Sequence, residues 1–231
     1  MSSTLKTLKI DIWSDFVCPW CWIAKRRFEI ALESFEHKDQ VQISYKSYRI
    51  APRYSPEPMP TALRKKLMDP RSAATMMNSV EAHAAEVGLE YRFDTMLFGD
   101  TTKAHALVKA IPDEGLKQEL IEQLYKSCAT DGQSIFDHHS LATIASGLGI
   151  NASLIDNAWS DESLSKLIDD DENTANAISP SVPLFVFNEE FFISGAQQIS
   201  AFTKALEQMQ SSIKPPELLQ GKSCGLNECE K

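Results

Sequence analysis

The chain has 231 residues, 43% of them hydrophobic, which is enough to bury one large core or two small ones. Its 23 Lys and Arg against 32 Asp and Glu give a formal charge of −9, and an acidic chain without a basic cluster argues against nucleic acid and anionic membrane surfaces as partners. No apolar run approaches membrane-spanning length, and the stretch Met1 to Lys9 lacks the apolar centre of a secretory signal, so a cytoplasmic, reducing location is expected.

The elements follow in chain order. Leu8, Ile10 and Ile12 alternate with Lys9 and Asp11, which predicts a strand over 8–13. Ala24, Phe28, Ala31 and Phe35 recur at helical spacing with Ile23 and Ile30 beside them, which predicts a helix over about 18–35. Val41, Ile43 and Tyr45 alternate again as a second strand, so a right-handed β-α-β unit with parallel pairing is expected. The stretch 51–60 carries four prolines and reads as a loop and domain boundary. Helices are predicted over 60–68, 71–87, 101–110, 113–129, 138–147, 151–159 and 161–171, with Asp113, Asp137, Asn151 and Asp161 as N-caps and Gly88 and Gly149 as stops. No strand-like alternation interrupts this block. A hairpin follows at 184–187 and 191–194, then a last helix with Ile199, Phe202, Leu206 and Met209 on one face. The tail after Lys214 has no periodicity and reads as an arm.

The chemistry is concentrated in Cys18-Pro19-Trp20-Cys21, between the first strand and the first helix. Unpaired N–H groups and the macrodipole at a helix N-terminus favour negative sulfur, and the thiolate is the nucleophile in disulfide exchange. Pro19 suits the first turn because its missing N–H has no partner to lose. Cys18 is therefore expected at the cap, exposed, and Cys21 one turn inward and more buried. In this reading Cys18 attacks and Cys21 resolves the mixed disulfide. A structural pair or half a zinc site is the alternative; a Cys-x-x-Cys pair near a β-α-β pattern in a cytosolic chain reads first as a redox motif.

Without the helical block the order is βαβ–ββα, that of thioredoxin. The fold class expected is α/β, a thioredoxin fold with a large all-helical insertion. The domains expected are 1–56 with 173–213 (thioredoxin-like), 57–172 (insertion) and 214–231 (C-terminal arm). Asp15 to Cys21, Val182-Pro183 with the aromatic hairpin Leu184 to Ile193, and Ser194-Gly195-Ala196-Gln197 resemble the DsbA-like thioredoxin-fold family, more narrowly its FrnE-type cytoplasmic branch, over most of 7–210. The resemblance implies a cis Val182-Pro183 bond facing Cys18, with Val182 offering its backbone to an extended substrate segment. The family also includes 2-hydroxychromene-2-carboxylate isomerases and kappa-class glutathione transferases, which carry serine in place of the first cysteine; Cys18 excludes the direct form of that chemistry. One departure is Ser181, where the family often has glycine.

Other residues carry alternatives. Trp20 brings no charge, so Cys18 is expected to rely mainly on the helix terminus; the indole is either a substrate contact or simple packing. Asp15 is a proton relay and thiol modulator or a loop residue, and His105, where relatives carry an Ala-His pair, approaches the cleft or is a satisfied helical histidine. Cys224 and Cys229 form a Cys-x4-Cys pair, either a secondary redox couple or two plain thiols; a zinc site built from both pairs stays open as a minor reading. His138-His139 reads as a capped, solvated turn and Cys128 as a buried inert thiol. The function expected is a thiol–disulfide oxidoreductase, with isomerase activity and oxidative-stress handling in its range. It acts on protein or small-molecule disulfides and thiols, with no metal or organic cofactor and with glutathione as a candidate electron donor. The alternatives are a glutathione-dependent transferase or isomerase and a zinc-binding or chaperone-like interaction module.

Overall fold

The computed structural model describes residues 7–211. The Cys224/Cys229 pair and the arm at 214–231 lie outside the described residues. Strand β1 (Leu8–Ser14) leads to helix α1 (Pro19–Glu33) and strand β2 (Val41–Ser47). The insertion then runs through β3 (Glu57–Pro58), α2 (Met59–Leu67), α3 (Pro70–Ala85), β4 (Leu97–Phe98), α4 (Thr102–Ala110), α5 (Glu114–Ala129), α6 (His138–Gly147), α7 (Ala152–Ser160) and α8 (Glu162–Ile178). The chain closes with β5 (Leu184–Phe187), β6 (Phe191–Ser194) and α9 (Ile199–Ser211).

The main sheet has the order β2-β1-β5-β6. β1 pairs parallel with β2 from Leu8 opposite Val41 to Ser14 opposite Ser47, and antiparallel with β5; β5 pairs antiparallel with β6. This is the thioredoxin arrangement. Alternation divides each central strand between two faces. Leu8, Ile10, Ile12, Phe185 and Phe187 meet Phe28 of α1 and Phe202 and Met209 of α9 on one side. Trp13, Leu184 and Val186 meet Ala175 of α8 on the other. The β5–β6 turn places Asn188 and Glu189 at φ 50° and 60°, the left-handed pair that a tight hairpin twist requires. The Asn188 side chain accepts from the Lys9 amide, tying the turn to β1.

Helix ends follow the local chemistry. The side chains of Asp113, Asp137, Asn151 and Asp161 each accept a backbone N–H in the first turn of their helices. After α3 and α6 the chain turns at Gly88 and Gly149, φ 73° and 75°, with Leu89 bonding back to Ala84 and Ile150 to Ala145. Two expectations need correction. The insertion is not wholly helical: β3 and β4 form a two-residue antiparallel ladder, too short to show alternation. α8 continues to Ile178, so the expected boundary at 172 falls inside a helix.

α8 is stitched along the free edge of β2. Asp171 accepts from the Ser47 amide and pairs with Lys109, while Arg49 pairs with Glu172 and Asp169. The largest apolar cluster spans the junction between the two parts of the chain. Phe16, Val17, Cys21, Trp22 and Ile23 pack in it with residues from α2 through α8.

Candidate active site

Cys18 is the N-cap residue of α1, with φ −81° and ψ 112°, and Pro19 is the first helical residue. A cap with extended backbone leaves the following amides pointing at its own side chain. The loop before it is closed by a hydrogen bond from the Cys18 amide to the Asp15 carbonyl, 3.1 Å. Cys18, Cys21 and Cys128 are free cysteines in the structure.

The two sulfurs differ in surroundings. Cys18 is 7% exposed and Cys21 1%. The expected order holds, but Cys18 is recessed rather than exposed, because Val182 and the insertion close around it. The Cys18 thiol is held below its ordinary value, first by a hydrogen bond from the Cys21 thiol and then by the amides of Trp20 and Cys21; burial and the Asp15 charge oppose this. The neighbouring thiol is thus a larger influence than the helix terminus alone. Cys21 is pushed well above the usual thiol range, first by burial and then by its tie to Cys18. The pair therefore holds one sulfur suited to be the thiolate and one kept protonated behind it. Cys128 is pushed up to about 12 by burial, as befits an inert core thiol.

The opposite wall is the segment before β5. The Val182-Pro183 bond is cis, and the Val182 carbonyl lies 3.8 Å from Cys18 Sγ. Pro183 is buried, and its carbonyl accepts the Gly195 amide at 2.8 Å. Ser181, the departure from the family pattern, joins a cluster of hydroxyls, 3.1 Å from Ser179 Oγ and 3.2 Å from Ser194 Oγ. The added side chain thus ties this loop to the end of β6.

Asp15 and His105 come together behind the loop. Asp15 is fully buried; its carboxylate accepts from Thr101 Oγ1 at 2.7 Å and from the Ile50 amide at 2.7 Å. His105 Nε2 stands 3.7 Å from Asp15 Oδ1, and the imidazole lies 4.8 Å from the Phe16 ring. His105 is buried under the loop and forms no part of the cleft wall. Trp20 is half-buried and stands between two openings. On one side is a cleft of about 770 Å³ lined by Cys18, Ile50, Met59, Leu63 and Val182 among others; on the other is a shallower one of about 370 Å³ lined by His83, Pro183 and Ala196. His83 lies against the indole, ring centres 5.7 Å apart.

Some supporting residues escaped sequence reasoning. Tyr91, kept protonated by burial, donates its hydroxyl to the Pro19 carbonyl at 2.7 Å. Arg27 is buried on α1 and links the Ala196 carbonyl of the loop before α9 to Glu86 after α3. A lone tyrosine beside Gly88 and an arginine in a Lys-Arg-Arg run carry no pattern that separates them from surface residues. His138, expected as a solvated turn residue, lies exposed against Trp159 with ring centres 4.4 Å apart. Among the described residues no group of three or more His, Cys, Asp or Glu is placed to hold a metal ion, and no helix is long and apolar enough to cross a membrane.

The strand order and the paired sulfurs at the tip of α1 define a thioredoxin-fold protein with a dithiol at the usual position of the fold. The chain belongs to the DSBA-like thioredoxin domain family, whose model matches residues 9–207. It is similar to a probable DsbA oxidoreductase from Streptomyces coelicolor, with 31% identity, 97% of this chain and 99% of that one covered, and a TM-score of 0.84. The cytosolic disulfide reductase DsbM of Pseudomonas aeruginosa, solved with GSH, shares the fold at 15% identity and a TM-score of 0.64, covering 88% of this chain and 99% of its own. Among curated proteins, YwbO of Bacillus subtilis is 30% identical over 87 residues, and the match spans 38% of each chain.

Proposed function

We propose that the protein is a cytoplasmic thiol–disulfide oxidoreductase of the FrnE type that works through Cys18 and Cys21. The carrying observation is the asymmetry of the pair: Cys18 opens on a cleft with its thiol held low, and Cys21 sits behind it with its thiol held high. The Cys18 thiolate attacks one sulfur of a substrate disulfide, forming a Cys18–substrate disulfide and releasing the other substrate sulfur as a thiolate. Cys21 then gives up its proton and attacks Cys18 Sγ. The Cys18–Cys21 disulfide forms, the second substrate thiolate leaves, and two electrons have passed to the substrate. An external thiol such as glutathione returns the protein to the dithiol. The same steps in reverse oxidise a client, and arrest at the mixed disulfide permits isomerisation. Val182 and Pro183 form the wall against which an extended client segment lies, and Pro19 and Trp20 form its floor.

The test is reduction of insulin by dithiothreitol. Wild-type protein accelerates it, Cys18→Ser abolishes the acceleration, and Cys21→Ala accumulates adducts on Cys18 that dithiothreitol releases. Turnover of an electrophile with glutathione that survives Cys18→Ser would instead favour the transferase or isomerase reading.

A further inference from the structure

Tyr91 lies in the stretch of the insertion between α3 and β4 and reaches the first turn of α1. The backbone on either side of it is fixed. The Glu90 carbonyl accepts from Thr130 Oγ1 at 2.6 Å, and the Arg92 amide donates to the Ala129 carbonyl at 2.8 Å. The ring packs against Trp22 and Phe93, with ring centres 5.7 and 5.8 Å apart. The side chain is thus aimed by packing, and its hydroxyl donates to the Pro19 carbonyl at 2.7 Å. Among the described residues it is the only side chain bonded to that carbonyl. Burial, and after it the charges of Cys18 and Cys21, keep the phenol protonated well past its ordinary range, so the bond persists while Cys18 titrates.

The Pro19 carbonyl and the Trp20 N–H belong to one peptide unit. The Trp20 amide is one of the groups that hold the Cys18 thiol low. A donor on the oxygen of a peptide draws charge toward that end and leaves the N–H end more positive, so hydrogen bonds in series strengthen one another. We propose that Tyr91 is a positioning residue for the attacking sulfur: its hydroxyl polarises the Pro19–Trp20 peptide, and the Trp20 N–H then holds a charged Cys18 more tightly than an unassisted amide does. This rests on the dithiol reading above and adds the group that acts behind its nucleophile. Closing the Cys18–Cys21 disulfide removes the charge from Cys18. The assisted bond therefore favours the dithiol and makes the disulfide the stronger oxidant. The other titratable groups facing the two sulfurs are Asp15 of the loop, Tyr125 of α5 and, against Asp15, His105 of α4. Cys128 and Glu122 of α5 face Tyr91.

The experiment uses the full-length protein with tyrosine, phenylalanine or fluorotyrosine at position 91. Fluorine makes the phenol more acidic and so a stronger donor, at almost unchanged size. The Cys18 midpoint is read from the ultraviolet absorbance of the thiolate in the reduced protein, with Cys18→Ser as the blank. Tyr91→Phe raises the midpoint by about 0.3 pH unit, about a twofold loss of thiolate stabilisation, and fluorotyrosine lowers it. In exchange with dithiothreitol, where the protein disulfide becomes the dithiol and dithiothreitol becomes its cyclic disulfide, Tyr91→Phe lowers the equilibrium constant about twofold above the Cys18 midpoint. A carbon-13 label in the Pro19 carbonyl moves upfield in the same variant. A role in packing alone does not order the midpoint by donor strength. An unchanged midpoint in Tyr91→Phe, or one that moves the same way for phenylalanine and fluorotyrosine, overturns the relay. Should Tyr91→Phe not fold, a fluorotyrosine midpoint equal to or above that of tyrosine overturns it as well. Insulin reduction that persists in Cys18→Ser overturns the dithiol reading itself, so the two failures are distinguishable.

Discussion

At Cys18 a recessed sulfur is held low by three donors, while burial pulls the other way. The consequence for pH is direct. Alkylation by iodoacetamide, followed residue by residue by mass spectrometry, should modify Cys18 first, with a midpoint below the ordinary thiol value of 9.0. Cys21 should follow only well above 9.0. The reverse order would remove the basis for dividing attack from resolution. The depressed Cys18 value adds stability to the reduced fold that is complete above 9.0 and is lost as pH falls through the Cys18 value. The raised Cys21 value adds stability below 9.0 that is lost as pH climbs through its own value. Much of this site was legible in advance, because Cys-x-x-Cys after a strand fixes both the cap and the turn behind it. What was not legible was the depth of Cys18 and the role of Cys21 as its principal donor. The depth depends on Val182 and the insertion, which no local spacing encodes, and the donation depends on how the two thiols are turned toward each other within the first turn, which the spacing permits but does not dictate. Asp15 and His105 were singled out separately; that they meet at 3.7 Å is a property of α4 packing on the loop.

Among the elements, the helices of the insertion were the most readable. The caps of α5 to α8 are short polar side chains followed closely by apolar periodicity, and a cap acts within three residues of itself. Asp137 shows the energetics. Its carboxyl is held at about 2 by the Ser134 hydroxyl first and then by the Ser140 amide at the start of α6. Asp137→Ala should lower the unfolding free energy by about 1 kcal/mol in urea titration at pH 7. The carboxylate contributes above its ordinary value of 3.8 and loses that contribution as pH falls toward about 2, so the wild-type and variant curves should converge in acid. An unchanged urea midpoint at pH 7 would show that the cap is dispensable. The two-residue ladder of β3 with β4 was not readable for the opposite reason. Its partners are far apart in the chain, Glu57 with Phe98 and Pro58 with Leu97, and neither stretch is long enough to alternate.

For the whole molecule, the decisive arrangement is a core cluster that runs from the start of α1 through the insertion. Trp22 is stacked on Tyr125 of α5 and donates to Glu122 of the same helix, which also binds Lys25 and Arg26. With shared side chains at the junction, neither part has an independent core there. Guanidinium unfolding should therefore give one transition, with tryptophan fluorescence and far-ultraviolet dichroism coincident. Two separated transitions would mean that the insertion is a free-standing unit. The sequence pattern suggested separable domains because a proline-rich loop precedes the helices, but a loop marks a change of direction and says nothing about who packs against whom. The recess around Cys18 has one more consequence, for geometry of access. A disulfide lying flush in the surface of a folded globule cannot be lowered onto a sulfur that is 7% exposed, whereas one carried on a protruding loop or a slackened chain can. Depth alone thus sorts potential clients by how far their cystine stands out, before any side chain is read.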